Sequence, residues 1–554
     1  MITGNMLRNA LLSAANNVAN HRRQVDELNV FPVPDGDTGT NMSMTMGAAR
    51  HDLAGLPDAA GADEVAQTAA SALLWGARGN SGVILSLLFR GFAKGLSGKS
   101  KAGTADLAEA LRQGVDAAYK AVMKPTEGTM LTVARESAQH GAELLKQNPG
   151  VSPQEWWKAI TRRAAGSLEN TPELLPVLKK AGVVDAGGKG LLLIFQAMDG
   201  VFSGGAIIPD LKAQQAEAPP EIPGEKNAAG EYVGEITFGY CTEFIVLKEK
   251  GRANSLSLRA YLESIGDSAV LVEDEDIIKC HVHTDNPGDA LQKALESGAI
   301  TKIKIENMRE QHAAQKRAAR KAPAKSFKYQ NVDPEQEFGF VAVAAGDGLE
   351  GIFHDLGVAN VVSGGQTMNP STDNILEAIH ATPAKNVIVL PNNKNIIMAA
   401  EQAARLADRS VYVLPTKSVP QGFSAMLAFD AHNSLAGNQL AMVRAIDKVN
   451  TGLITFAARD SSFEGHKIKK NEILALENGK LSFVEKDINK AVQRLTRAMV
   501  KKDSTFVTLI YGEGISAEQA GEAETEIRRK LPDSVELAVV NGGQPVYYYM
   551  LSVE

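Results

Sequence analysis

Two cysteines, Cys241 and Cys280, are all that a chain of 554 residues contains. So few thiols exclude a disulfide framework and suit a reducing cytoplasm. Positive charge is not in excess either. The net charge is -7 and the sequence pI is about 5.9, whereas a protein built to neutralise nucleic-acid phosphates would be basic, so no nucleic-acid partner is expected. No stretch reaches the roughly 18 apolar residues of a spanning helix, so no transmembrane segment is expected. Residues 1–28 lack a continuous apolar core followed by a small-residue cleavage site, so no signal peptide is expected. Internal repeats and long low-complexity tracts are also missing. These absences together predict a soluble, cytoplasmic protein. What is present, 44% hydrophobic and 22% charged residues, is ordinary for globular domains. At roughly 100–200 residues per domain, the length predicts about three to five units.

The first ~200 residues carry helical periodicity. Leu7, Leu11, Ala15, Val18 and Ala19 share one face; so do Met42, Met46 and Ala49. Val83, Ile84, Leu87 and Leu88 begin another helix, Leu107, Leu111, Val115 and Ala118 mark the next, and Leu174, Leu175, Val177 and Leu178 one more. The expectation is an all-α domain over 1–210. Residues 211–231, polar and proline-bearing, read as a linker. Over 232–308 the order is β-α-β-β-α-β, that of a ferredoxin-like α+β middle domain. Residues 309–328 are basic; in so acidic a chain they read as a solvated helix and linker more readily than as an acidic partner's site. From Phe338, short apolar strands alternate with helices, which predicts an α/β region over 336–554, strand-rich after about Thr451 and therefore two-lobed.

Chemistry concentrates in the helical part. "NVFPVPDGDTGTNM" (29–42) sets Asp35 and Asp37 one residue apart beside threonines and an asparagine. Carboxylates so placed suit Mg²⁺, which keeps waters and is completed by substrate phosphates; a turn stabilised by aspartate side chains is the plainer alternative. An EF-hand does not fit, because its twelfth position, counted from Asp35, is Met46. "WGARGNSGVIL" (75–85) is a glycine-rich turn feeding a helix. Amides near Ser81 and Gly82 there could accept an anion. It is not a Walker A loop, since no Lys-Ser or Lys-Thr follows Gly82. "KPTEGTMLTV" (124–133) and "AGVVDAGGKGLLL" (181–193) add two more polar entries to helices. Four such helix starts could surround one polyanion.

These four motifs, in this order, resemble the nucleotide-binding domain of the dihydroxyacetone kinase family. The Pro-Val-Pro-Asp-Gly-Asp-Thr-Gly form and the long extension after it resemble the catalytic-subunit family of bacterial fatty acid kinase. The resemblance spans nearly the whole chain and implies a barrel of antiparallel helices with ATP at one end. It assigns Asp35 and Asp37 to Mg²⁺, with Asn29 as a third ligand where related kinases carry an upstream aspartate. Thr38, Thr40 and Asn41 would flank the phosphates, and Ser81 and Gly82 would cradle them. Thr129 and Met130 would lie near base and ribose, and Asp185 and Gly187 would close the nucleotide loop. It implies transfer of phosphate to a fatty acid carboxylate held by a separate DegV-type binding protein, giving an acyl phosphate, and a homodimer. Phosphoryl transfer rests on positioning and charge stabilisation, so no side-chain nucleophile is needed. The competing readings are a small-molecule kinase of the dihydroxyacetone type and a non-catalytic nucleotide or lipid sensor. Asp35 and Asp37, both present, argue against the sensor.

In the middle domain, "KCHVHTD" (279–285) puts His281 and His283 on one face of a strand. In a ferredoxin-like sheet that strand neighbours the one that begins near Cys241. Cysteine and histidine are good Zn²⁺ ligands; a half-buried thiol with two solvated histidines is the alternative. The family resemblance implies a structural zinc at Cys241, His281 and His283. Cys280 alternates to the other face and is expected in the core. The C-terminal region resembles the DegV fold. Its polar loops at 363–374, 391–395 and 416–422 each follow a predicted strand, where ligands of open α/β sheets bind. The serine motifs of lipid-binding members are absent, so docking or dimerisation is expected there in place of a second fatty-acid site.

Overall fold

In the computed structural model, the described residues are 1–29, 36–122, 125–211, 240–248, 255–273, 277–307, 327–365, 368–457, 460–463 and 466–554. They form two compact units, Met1–Ala218 with Phe327–Glu554, and Pro219–Ser326.

In the first unit, helices dominate up to residue 202. Their ends follow local chemistry. Ser152 caps helix Pro153–Leu174, accepting from the Glu155 amide, with proline at the first turn. The helix expected across Leu174–Leu178 is two helices, Pro153–Leu174 and Pro176–Ala181. Leu175 between them is extended (φ -125°, ψ 101°), because a residue before proline is pushed out of the α region. A short antiparallel pair, β1 (Ile2–Thr3) with β2 (Lys101–Ala102), went unread in the sequence; two residues carry no alternation to detect.

The core of this part is centred on Trp156 and Trp157, both fully buried. Trp157 meets Phe92, Phe195 and Phe202 edge-on at centroid distances of 5.2–6.3 Å. Both indole N–H groups find backbone carbonyls, of Gly141 and Phe195. Burying each such ring contributes several kcal/mol, and truncating one to alanine costs about 3–5 kcal/mol.

The α/β region belongs to the same unit. Strands β7 (Phe338–Ala344), β8 (Asn360–Ser363), β9 (Asn386–Leu390) and β10 (Ser410–Val413) make a parallel sheet in the order β10-β9-β7-β8. One face supplies Val341, Val343, Val387 and Val389 to the same apolar cluster as the helical part. Helices Thr372–His380 and Ile397–Leu406 cover that face and pack on helices Ala62–Trp75 and Gly79–Gly95. The second lobe is a mixed sheet of β11 (Asn450–Phe456), β14 (Ile473–Glu477), β15 (Lys480–Glu485), β16 (Phe506–Tyr511), β17 (Glu536–Asn541) and β18 (Tyr549–Val553), ordered β15-β14-β11-β18-β16-β17. A separate hairpin, β12 (Ser461–Phe463) with β13 (His466–Ile468), sits between β11 and β14 in the chain.

The segment before β7 is not a loose linker where it is described. The Gln330 and Asp333 amides donate to the His380 and Pro383 carbonyls, and the Tyr329 hydroxyl donates to Asp408 (2.8 Å). Composition alone does not distinguish such a pinned strap from a tether.

The second unit is an antiparallel sheet of β3 (Tyr240–Lys248), β4 (Gly266–Glu273), β5 (Ile277–Thr284) and β6 (Gly298–Asn307), ordered β4-β5-β3-β6. Helices Ser255–Ile265 and Pro287–Ala294 join the strands. Phe244, Val246, Ile278, Cys280 and Val282 form its core with residues of both helices. Cys280 is core as expected, and burial pushes its thiol up to about 12.

Candidate functional site

The candidate site gathers where helix starts meet. Helix Thr38–Ala48 begins just after the described end of the aspartate loop. Asp26 reaches across and takes the Thr40 amide (3.0 Å) on one oxygen and the Thr40 hydroxyl (2.8 Å) on the other. The Thr40 hydroxyl expected beside the phosphates is thus engaged by a carboxylate that sequence reasoning missed. Asn29 lies where the upstream ligand is expected. Its Oδ1 accepts from the Thr38 hydroxyl (2.9 Å), and a Cβ on Gly36 would stand 3.1 Å from its own. Asn29 therefore abuts the segment carrying Asp37. Asp35 lies outside the described residues.

The second helix begins earlier than anticipated, at Gly79. Helix Gly79–Gly95 is capped at Arg78, so the Gly82 amide already donates to the Arg78 carbonyl (3.1 Å). First-turn amides without an intrahelical acceptor are those of Gly79, Asn80 and Ser81. Of the expected pair only Ser81 keeps an amide for an anion. Gly82 instead permits close packing, because a Cβ there would strike the Thr45 hydroxyl. Gly79 is left-handed (φ +56°), and its missing Cβ would lie 2.5 Å from Asn41 Nδ2. Asn41 is thereby set against the start of the second helix.

Helices Met130–Gln147 and Ala186–Phe202 complete the group. Asp185 caps the latter, accepting from the Gly188 amide (2.7 Å), and also takes the Met130 amide. One carboxylate thus ties two helix starts together. Gly187 faces Met130, and Gly190 leaves room for Met42 of helix Thr38–Ala48. Helix Ala186–Phe202 tolerates glycines in its first turns because neighbouring side chains occupy the space their Cβ atoms would take. Thr129 donates its hydroxyl to the Thr126 carbonyl (2.7 Å) and precedes helix Met130–Gln147. The chain of contacts Asn41–Gly79, Met42–Gly190 and Met130–Gly187 brings the four N-terminal turns to one end, where their partial positive charges add.

Charge around this end is tuned by burial. The Asp185 carboxyl is pushed up to about 6 by desolvation, which outweighs its two backbone hydrogen bonds. Burial pulls the Arg78 guanidinium below its ordinary range. For Glu127, burial acts upward, but hydrogen bonds from Thr132 and Arg135 prevail and hold it low. Asp37 accepts one amide on each oxygen, from Asn41 Nδ2 (2.8 Å) and from Asn369 Nδ2 (2.6 Å). Asn369 lies 332 residues away, in the α/β region. No local pattern could have announced it.

Among the described residues there is no cluster of three or more His, Cys, Asp or Glu side chains able to hold a metal. The donor set at the loop is nevertheless all oxygen: Asp37 and Asn29 beside phosphate-suited helix ends. That chemistry fits a hard cation that keeps waters. In the second unit, the Cys241, His281 and His283 side chains lie outside what is described. The backbone register pairs Cys241 with His283 and Glu243 with His281.

Three family models match in order: a DAK2 domain over 32–200, a FakA-like fatty acid kinase middle domain over 237–315 and a FakA-like fatty acid kinase C-terminal region over 339–554. Protein YloV of Bacillus subtilis (strain 168) is 40% identical over 558 residues, covering 100% of this chain and 99% of its own length. The chain belongs to the FakA-like fatty acid kinase family. It is a family of kinase subunits that carry the DAK2 domain. Among solved structures, a DegV family protein from Corynebacterium glutamicum aligns with a TM-score of 0.32 at 15% identity, over 40% of this chain and 97% of its own. The dihydroxyacetone kinase from C. freundii in complex with AMP-PNP and Mg²⁺ aligns with a TM-score of 0.28 at 19% identity, over 35% of this chain and 33% of its own. No helix among the described residues is long and apolar enough to cross a membrane.

Proposed function

We propose that this chain is the ATP- and Mg²⁺-dependent subunit of a kinase that phosphorylates the carboxylate of a fatty acid carried by a separate DegV-type protein, releasing an acyl phosphate. The observation that carries this reading is the convergence of four helix N-termini on one end of the helical part, with Asp37 fixed at its edge. Such an end suits a triphosphate. Its motif loops are polar and glycine-rich, a poor lining for a long acyl chain, so the acceptor arrives on another protein.

In this reading Asp35, Asp37 and Asn29 hold Mg²⁺, which when bound neutralises charge on the phosphate oxygens. The Ser81 amide and neighbouring first-turn amides bind phosphate oxygens without reorganisation. Thr38 and Asn41 orient the carboxylate loop through their hydrogen bonds. Met130, Thr129, Asp185 and Gly187 bound the nucleoside side. The carrier must deliver the carboxylate in line with the γ-phosphoryl group, which makes docking accuracy part of the rate.

We divide the chain into a helical barrel kinase domain at 1–210, a ferredoxin-like middle domain at 232–308 and a DegV-like region at 336–554 that serves docking and dimer formation. Register supports one further assignment, a structural Zn²⁺ at Cys241, His281 and His283, because the pairing of Cys241 with His283 brings two of the three positions side by side. A cytoplasmic homodimer is the setting we assign. The test is transfer of radiolabelled γ-phosphate from ATP with a purified DegV-type protein loaded with a fatty acid. An acyl phosphate that forms only with loaded carrier and Mg²⁺ is expected. Equal phosphorylation of dihydroxyacetone without a carrier would replace this reading with the small-molecule kinase.

A further inference from the structure

The loop after β8 does not end at the sheet. It crosses to the helical part and pairs with it. Ser371 forms an antiparallel bridge with Arg78, and the Thr372 amide donates to the Ala77 carbonyl (3.0 Å). Arg78 Nη1 donates to the Asn369 carbonyl (2.8 Å), and Asn369 Nδ2 donates to Asp37 Oδ2 (2.6 Å) and, longer, to Asn41 Oδ1 (3.4 Å). Asn369 is 2% exposed. The loop is braced from behind as well: the Gly365 amide donates to the Met368 carbonyl (2.9 Å), and Asn393, in the loop after β9, donates to the Gly365 carbonyl. One of the three polar loops at the carboxyl ends of the parallel strands thus reaches the aspartate of the kinase loop, and a second braces the first.

The bonding is chemically consistent. An amide group has two N–H donors, and Asn369 directs them at a carboxylate and an amide carbonyl. Asn41 accepts from Asn369 and donates to the other Asp37 oxygen. Both Asp37 oxygens thus take an amide donor, and a carboxylate oxygen can accept from more than one partner at a time. A carboxylate held at both oxygens has little rotational freedom to lose on binding one.

We propose that Asn369 is a positioning residue of the phosphoryl-transfer site, by which the α/β region fixes the Asp37 carboxylate and completes the metal end of the kinase site in cis. This rests on the reading above that Asp37 is a Mg²⁺ ligand. The α/β region is then part of the site, in addition to any docking role, and a shift of its loops reaches the metal end through one side chain.

The experiment uses the full-length chain as wild type, Asn369→Ala, Asn369→Asp and Asp37→Ala. Mn²⁺ is titrated in the presence of saturating AMP-PNP, free Mn²⁺ is followed by electron paramagnetic resonance, and the Mg²⁺ dependence of phosphoryl transfer is measured alongside. Loss of one charge-assisted hydrogen bond corresponds to about tenfold. Asn369→Ala is expected to raise the half-saturating Mn²⁺ and Mg²⁺ concentrations about tenfold while KM for ATP at saturating Mg²⁺ stays within about twofold. Asn369→Asp keeps the shape but replaces the donor with a second carboxylate against Asp37, and is expected to fail at least as far. It also carries the test if the alanine variant unfolds. Wild-type Mn²⁺ binding in both Asn369 variants, with binding lost in Asp37→Ala, overturns the proposal and leaves the kinase reading standing. Wild-type binding in Asp37→Ala overturns both, because there is then no ligand to position.

Discussion

Asp185 carries the most quantitative consequence of the site. Its carboxyl is raised from 3.8 to about 6, chiefly by burial. Below pH 4 both folded and unfolded chains hold the proton, and the group is neutral to stability. Between about pH 4 and 6 the unfolded chain ionises while the folded one keeps its proton, so stability falls as pH rises. Above about pH 6 the folded carboxyl ionises too, and the full cost is in place. A rise of about two pH units at about 1.4 kcal/mol each sets that cost near 3 kcal/mol. An asparagine at this position would be isosteric, uncharged and as good a helix cap as aspartate. Asp185→Asn should therefore stabilise the helical part by about 2–3 kcal/mol at pH 7.5, after about 1 kcal/mol or less is lost from weaker hydrogen bonds.

The assay is urea unfolding of the full chain at several pH values from 4 to 8, followed by tryptophan fluorescence. All three tryptophans, Trp75, Trp156 and Trp157, lie in the helical part, so the signal follows the core which that part shares with the α/β region. The two proteins should coincide near pH 4 and diverge through pH 6, with the variant the more stable. Parallel curves across the range would refute the argument, because they would mean that Asp185 is ionised, or hydrated, at no cost in the folded chain.

Three further outcomes are expected. Asp35→Ala and Asp37→Ala should each abolish Mg²⁺-dependent phosphoryl transfer while the circular dichroism of the chain is kept; full turnover in both would remove the metal assignment. Gly79→Ala should lower stability by about 1–2 kcal/mol from the left-handed backbone alone and weaken AMP-PNP binding by calorimetry, since the new methyl group meets Asn41. Purified protein should contain about one zinc per chain, and a His281→Ala, His283→Ala double variant should contain none; equal content in both would dismiss the site.

What could be read from the sequence was what is local. The helix starts at 38, 130 and 186 declared themselves through threonine, glycine and aspartate before apolar periodicity, and the order of strands and helices was legible over 240–308 and from Phe338 to about 415, but not the strands over 461–485 or the helices after residue 418. The errors are local too. The Gly79–Gly95 helix was entered late because a left-handed glycine looks like loop, and helix Pro153–Leu174 was run together with the next because periodicity survives a one-residue break. What escaped entirely was reciprocal, long-range bonding. Asp26 looks like any acidic residue near a helix end until Thr40 folds back on it, and Asn369 sits in a loop whose composition suits a turn as well as a strut.

Several costly features of this chain lie close together. A carboxyl at Asp185 that opposes folding at neutral pH, a guanidinium at Arg78 drawn out of water, and a left-handed Gly79 pressed against Asn41 all lie around the four helix starts. Elsewhere in the helical part Thr3 and Ser152 cap their helices, and the buried tryptophan N–H groups are bonded. Departures of this kind give up stability where they sit, and sites of chemistry are where they are commonly found. Each departure also has a use for a bound triphosphate. The desolvated cation at Arg78 gains from an anion, close glycine packing lets backbone amides approach phosphate oxygens, and Asp185 locks two of the helix starts in register. Binding the nucleotide should then return part of what folding gave up, so ligand-induced stabilisation of the helical part, larger for MgAMP-PNP than for AMP-PNP alone, is the signature to expect.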